Sequence, residues 1–323
     1  MVLSTREKRV ISELSMDSRA SQADVARRMR VSPQNLKYHI DSLRERGVFS
    51  ESVILDPAKF GLITIRVFLS YTTFSERARG VVVDALVSQE EVVFVQKLRL
   101  GADLLVEYTV PNLSLFNKLH TSFLDKFSNF VKNKHIFPVL VRYEFERTYL
   151  HSSAKSSSAI LSGDREVADI GENDFRVLAA LVSDPSSSVA SLARDAGLDP
   201  RTVRRCLRDC LDERVIRGFS VTLDYELSDI KSAILGIEFS HVTPQEMKRF
   251  VSFAREVDEV VGLTKVIGRE NVFVRIETFE NFTEVIERLR SEFSITDYQV
   301  YVGGNVVKNN HIPFSVLNPQ QKE

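Results

Sequence analysis

The chain has 323 residues, 43% of them apolar, and a formal net charge of −1. That is enough apolar material for several packed domains, and it excludes a uniformly basic coat, so any nucleic-acid contact must come from local patches. There is no run of 18 apolar residues, and the charged start MVLSTREKRVISEL lacks the apolar core of a signal peptide, so a cytoplasmic chain without a membrane span is expected.

Residues 5–16 carry apolar positions at helical spacing. Ser21 opens a second helix, SQADVARRM, with Asp24 three residues on, close to a capping box. Ser32 caps a third helix with Pro33 at its first position, where a missing N–H costs nothing. Two short helices joined tightly after a supporting helix read as helix-turn-helix.

The rhythm then changes. ITIRVFLSY (63–71) alternates like a strand, 76–88 is helical, and 91–100 and 103–110 are strand-like about Gly101-Ala102. Residues 113–131 form a long amphipathic helix, and 136–145 a last strand. The order βαββαβ predicts a split-βαβ sheet with helices on one face and the other face open, which needs a second sheet against it.

A Ser-rich stretch at 151–170 reads as a linker, after which the pattern repeats. A shift of 167 places DPRTVRRCLRDCLDERVIRG (199–218) on SPQNLKYHIDSLRERGVFSE (32–51) without a gap. Val10, Ile11 and Leu14 fall on Val177, Leu178 and Leu181; Leu36, Ile40 and Leu43 fall on Val203, Leu207 and Cys210. Core positions agree while surface positions differ, as in a duplicated fold whose faces have diverged. In the second copy, Ser188 or Ser191 opens the second helix and Asp199 with Pro200 starts the third. Residues 231–303 repeat the βαββαβ pattern, and the stretch after Gly304 reads as a short tail. Cys206 and Cys210, on neighbouring turns of one helix, suit neither a structural disulfide nor zinc and read as free thiols.

The expected fold is α+β, with two winged or helix-turn-helix domains, each followed by a βαββαβ ferredoxin-like domain. The boundaries expected are 1–50 (first helix-turn-helix), 51–150 (first effector and dimerisation domain), 151–170 (linker), 171–217 (second helix-turn-helix), 218–310 (second effector domain) and 311–323 (tail).

On these residues the chain resembles the Lrp/AsnC (feast–famine) family of transcription regulators, twice over. The carrying stretches are DSRASQADVARRMRVSPQNLKYHIDSLRERGVF with LDPAKFG (55–61), and VSDPSSSVASLARDAGLDPRTVRRCLRDCLDERVIRGFSVTLD. Family members usually have one such unit per chain and pair as dimers, often octamers. The resemblance therefore implies double-stranded DNA as partner, pairing of the two units within this chain, and further homo-oligomers. With two unlike reading helices, the DNA site need not be palindromic.

Reading helices use outward N-terminal side chains on base edges. In copy one these are Gln34, Asn35, Lys37 and Tyr38, with Arg27, Arg28 and Arg30 nearby for the backbone. In copy two they are Arg201, Thr202, Arg204, Arg205 and Arg208. Residues 1–50 hold ten Lys/Arg against six Asp/Glu, whereas residues 172–217 balance at eight each, with the positive charge gathered on one helix. His39 and Cys206 sit on equivalent flanks and read as packing residues.

By resemblance, a small effector such as an amino acid binds beside the turn between the central strands, here Gly101, Ala102, Asp103, Gly268, Glu270 and Asn271. The glycines read equally as hairpin turns. An enzyme alternative exists, because siroheme decarboxylases resemble this family and can also occur as fused pairs. They need His and Arg on the effector-domain strands. The turn regions here offer Lys97, Arg99, Lys265, Arg269 and Arg275 but no His, and His120, His135, His151, His241 and His311 are scattered along the sequence. With no Ser/His/Asp set, metal spacing or phosphate loop, the sequence reading is a regulator that is not an enzyme and has no cofactor or metal.

Overall fold

The computed structural model describes residues 2–73, 75–151 and 158–318. The first three helices are α1 (Thr5–Met16), α2 (Gln22–Met29) and α3 (Pro33–Glu45). Ser4 and Glu7 form a reciprocal capping box on α1, Ser21 accepts from Asp24 N, and Ser32 accepts from Asn35 N. The chain leaves α2 through Arg30 at φ +57, a left-handed conformation that glycine takes more easily.

A strand, β1 (Phe49–Leu55), leads through a short turn at Pro57–Phe60 into the first βαββαβ unit. It comprises β2 (Ile63–Tyr71), α4 (Glu76–Ser88), β3 (Val92–Leu100), β4 (Leu104–Val110), α5 (Leu113–Phe127) and β5 (Val131–Phe145). Part of the stretch read as linker forms β6 (Ser158–Ser162), which extends the sheet beside β5. The second half continues with α6 (Glu172–Ser183), α7 (Val189–Ala196), α8 (Pro200–Asp212) and β7 (Ile216–Leu223). Its βαββαβ unit is β8 (Lys231–Phe239), α9 (Pro244–Glu256), β9 (Val260–Val266), β10 (Val272–Thr278), α10 (Thr283–Glu292) and β11 (Ile295–Asn309), and α11 (Phe314–Leu317) ends it. Ser188, not Ser191, caps α7. Among the described residues of the stretch expected as a short tail, Ile312 and Leu317 are buried in the core of the second helix-turn-helix.

The two units satisfy each other's open sheets. Eight strands run β2-β4-β3-β11-β8-β10-β9-β5, and β5 pairs back with β2, so the sheet closes into a barrel. The β3–β11 and β5–β9 pairings are the seams between units. Closure removes the exposed strand edges that each unit alone would present. Alternation decides what faces where. On β2 and β4, Ile65, Val67, Leu69, Leu104, Val106 and Tyr108 pack outward under α4 and α5. Arg66, Phe68, Leu105 and Glu107, the alternate residues, face the interior.

The helical heads are joined by a second device. β1 pairs antiparallel with β7 from Phe49↔Leu223 to Leu55↔Ile216, making a two-stranded ribbon. Val221 and Leu223 of β7 complete the core of the first head, while Val53 and Leu55 of β1 complete the core of the second. Each head therefore packs on a strand from the other half.

Candidate nucleic-acid interface and barrel chamber

The third helix of each head, α3 and α8, turns most of the side chains that the sequence suggested toward solvent. Leu36, Ile40 and Leu43 are buried under α3, leaving Gln34, Lys37 and Tyr38 exposed and Asn35 half-buried. Tyr38 is 68% exposed, high for a large aromatic side chain, with its ring edge against His39. Arg27, Arg28 and Arg30 are exposed, but not equally available. Arg27 pairs with Asp24 at 2.6 Å and Arg28 with Glu13 at 2.7 Å. On α8, Val203, Cys206 and Cys210 are buried, and Arg201, Arg204, Arg205 and Arg208 point outward. Asp199 accepts from the backbone N–H groups of Arg201 and Thr202, and its other oxygen accepts the Thr202 hydroxyl at 2.5 Å. The hydroxyl is thus committed to the cap. Among the described residues Arg30, Arg201, Arg204 and Arg205 enter no ion pair, so their charge is open to a polyanion.

The six turn residues have structural tasks. Asp103 Oδ2 accepts from Tyr71 N at 2.8 Å, and Asn271 Oδ1 accepts from Phe239 N at 2.8 Å. These are the same bond in the two copies, and an acid or an amide serves it equally. Gly101, at φ +88, lies so close to β11 that an added Cβ would meet Val300 O at 2.5 Å. Gly268 lies against the Phe137 ring and Ala102 is buried. Glu270 is buried with Oε2 unpartnered among the described residues. All six sit at the end of the barrel filled by Phe68, Phe137, Phe273 and Tyr301, where Phe68 stacks on Tyr301 at 4.1 Å.

Toward the ribbon the barrel interior opens into a cavity of about 240 Å³, and none of those six residues lines it. Its walls are charged. Arg66 donates twice to Glu107 Oε1, at 2.9 and 2.7 Å, and Arg142 donates to Glu107 Oε2. Arg275 pairs with Glu144, and Arg147 with Glu277, which also accepts from the hydroxyls of Tyr149 and Tyr225. Burial works against the Glu107 carboxylate, but Arg142 and Arg66 bring it down to about 2. Burial and the Arg142 charge hold His311 down at about 4, so its imidazole is neutral near pH 7.

Sequence reasoning missed this chamber. It assigns His311 to the tail, but the segment after β11 folds back to the chamber and brings the imidazole beside Arg142 and Glu144. Of the cations around the two turns, Arg275 lines the chamber; Lys97, Arg99, Lys265 and Arg269 do not. A usable signal was the run of charges at alternating, core-facing strand positions: Arg66, Glu107, Arg142, Glu144 and Arg275.

Comparison with known proteins gives two kinds of match. Residues 3–49 and 171–217 each match the winged helix-turn-helix DNA-binding family. An uncharacterized HTH-type transcriptional regulator of Pyrococcus furiosus is 23% identical over 145 residues, 44% of this chain and 96% of that protein. These matches uphold the tandem regulator resemblance drawn from the sequence. Over 98% of this chain, the fold is that of the siroheme decarboxylase NirDL, at 12% identity, 99% coverage of that chain and a TM-score of 0.59. NirDL has also been solved with an iron-uroporphyrin III analogue. An AsnC family regulator from Agrobacterium tumefaciens aligns with 43% of this chain and 94% of its own, at 22% identity and a TM-score of 0.39. The reading of this chain as not an enzyme does not stand: its whole two-unit architecture is one that an enzyme uses. No helix among the described residues is long and apolar enough to cross a membrane.

Proposed function

We propose that this chain is a sequence-specific DNA-binding regulator of Lrp/AsnC type whose two unlike reading helices address two unlike half-sites. The supporting observation is the pair of winged helix-turn-helix matches, each with a third helix whose outward side chains differ between the copies. Gln34 and Asn35 suit adenine, while Lys37, Arg201 and Arg204 suit guanine. Tyr38, Arg27, Arg28, Arg30, Arg205 and Arg208 lie where phosphates pass, and Thr202 holds the cap. Binding is electrostatic in large part and falls with salt. Lys37→Ala and Arg204→Ala each cost roughly 1–3 kcal/mol on the cognate site and relax specificity at one base pair. Unchanged cognate affinity in both variants, measured by fluorescence anisotropy, refutes these assignments. The chamber is the proposed effector site. At about 240 Å³ it lies below the roughly 300–1,000 Å³ of drug-sized ligand pockets, so its ligand is on the scale of an amino acid.

A second reading, favoured by the likeness to NirDL over the whole chain, places decarboxylation in the same chamber. There His311 is the candidate proton-handling group, and the arginines would hold substrate carboxylates. In the present geometry Arg66, Arg142, Arg147 and Arg275 are engaged by Glu107, Glu144 and Glu277, so a carboxylated tetrapyrrole would have to displace those pairs and widen the cavity. Incubation with siroheme, followed by mass spectrometry of the pigment, separates the two readings. Loss of carboxyl groups supports the enzyme, and an unchanged pigment removes that substrate.

A further inference from the structure

The loop between α1 and α2 of the first head touches the loop between α6 and α7 of the second. Arg19 makes the join. Its Nη1 donates to Pro185 O and to Ser187 O, both at 2.8 Å. Its guanidinium also lies 5.3 Å from the centre of the Phe219 ring on the ribbon, and its own backbone N–H is fixed by Asp17 at 2.9 Å. The loop behind it is bolted down as well. Ser18 N donates to Phe219 O, Ser220 Oγ donates to Ser15 O, and Arg147 reaches Ser15 Oγ from the barrel.

The position of this join is informative. Under the 167-residue shift, Arg19 corresponds to Ser186. Arg19 therefore bonds the two residues that flank its own counterpart, which places it on the pseudo-two-fold axis relating the heads. In a dimer of identical units, two arginines would meet there and repel. A fused chain can carry Arg on one side and a small Ser on the other. Ser186 turns its hydroxyl to Asp184 at 2.6 Å and leaves the carbonyls on either side to Arg19.

We propose that Arg19 fixes the separation of α3 and α8, and through it the half-site spacing that the chain accepts on DNA; the second clause rests on the regulator function proposed above. Arg19 is a positioning residue on this account and reads no base. One base pair added between half-sites moves the second by a base-pair rise and about a tenth of a turn. A rigid pair of heads registers that change, and a loosened pair absorbs it.

The test uses the full chain with nitroxide labels on Glu45→Cys and Asp212→Cys, at the exposed ends of α3 and α8. Cys206 and Cys210 are buried and their thiols pushed up to about 12, so they do not compete for label. Electron-spin distance measurement on the otherwise native chain should give one narrow distribution. Arg19→Ala should broaden it, and Ser186→Arg should lengthen and broaden it. In parallel, binding is measured to selected sites with one to five base pairs inserted between half-sites. The native chain should lose at least about fivefold for one inserted pair, the low end of a mismatch cost, and Arg19→Ala should lose markedly less. An unchanged distance distribution in both variants overturns the staple. A broadened distribution with an unchanged spacing profile overturns its role on DNA. Absence of any selected sequence for the native chain overturns the regulator function itself, while the distance measurement still decides the staple.

Discussion

Arg30 and Gly197 occupy the same place in the two copies, the left-handed exit from the second helix of each head, at φ +57 and φ +63. Glycine takes that conformation freely, whereas a residue with a Cβ is strained there by about 1–2 kcal/mol. The strained residue is also a cation on the proposed DNA side. Arg30→Gly should leave the fold as stable or raise its unfolding free energy by up to about 1 kcal/mol. Affinity should weaken evenly across DNA sequences, with the salt slope reduced by about one. A stability loss, or an effect confined to one base position, would show that the residue has another role. His311 carries a pH consequence of the same sign as a carboxylate held low by an ion pair: the fold loses stability as pH falls. Its folded pKa of about 4 lies below the ordinary 6.5, so between these values the unfolded chain takes up a proton that the fold refuses. The His311 contribution to stability is flat above about 6.5 and is lost as pH drops toward 4, with a slope of at most one proton, about 1.4 kcal/mol per pH unit. His311→Gln should flatten that slope by its share, leaving that of His120, which burial also holds low. Denaturant titrations between pH 4.5 and 6.5 check it; the same slope in the variant would mean that the imidazole titrates freely.

At the scale of elements, the barrel interior combines an aromatic plug with a lattice of ion pairs. Arg66 is 7% exposed and Glu107 is 2% exposed, and Glu107 serves two arginines. Removing it leaves uncompensated buried charge, a change that costs about 3–5 kcal/mol in comparable pairs. Glu107→Ala should lose that much by chemical denaturation, and a loss below about 1 kcal/mol would mean that water already screens the site. The helices were legible because local chemistry sets them: Ser4, Ser21, Ser32 and Asp199 cap them, and Pro33 and Pro200 start two of them. The strands were legible from alternation. The ribbon and the barrel seams were not, because each pairs residues far apart in sequence, as Phe49 with Leu223 and Gln96 with Val306; β6 pairs with the nearby β5 but lies in a Ser-rich stretch that reads as linker. Resemblance assigns the turn residues a ligand role, whereas Asp103 and Asn271 are occupied with the backbone of Tyr71 and Phe239. The charged chamber escaped notice because its side chains come from β2, β4, β5, β10 and the segment after β11.

For the whole molecule, duplication has produced an internal dimer whose halves are free to differ. The halves differ on α3 against α8, at Arg19 against Ser186, and in the chamber, where Glu107 and Arg275 occupy equivalent inward positions on β4 and β10. The central claim is that one chain, as an asymmetric internal dimer, reads two unlike half-sites. The most direct measurement is in vitro selection of bound DNA from a random pool with the intact chain at moderate salt. The account predicts a consensus of two dissimilar half-sites at one spacing, with adenine-rich and guanine-rich elements disturbed separately by changes in α3 and α8. A true palindrome, or no enriched sequence even at low salt, would contradict it.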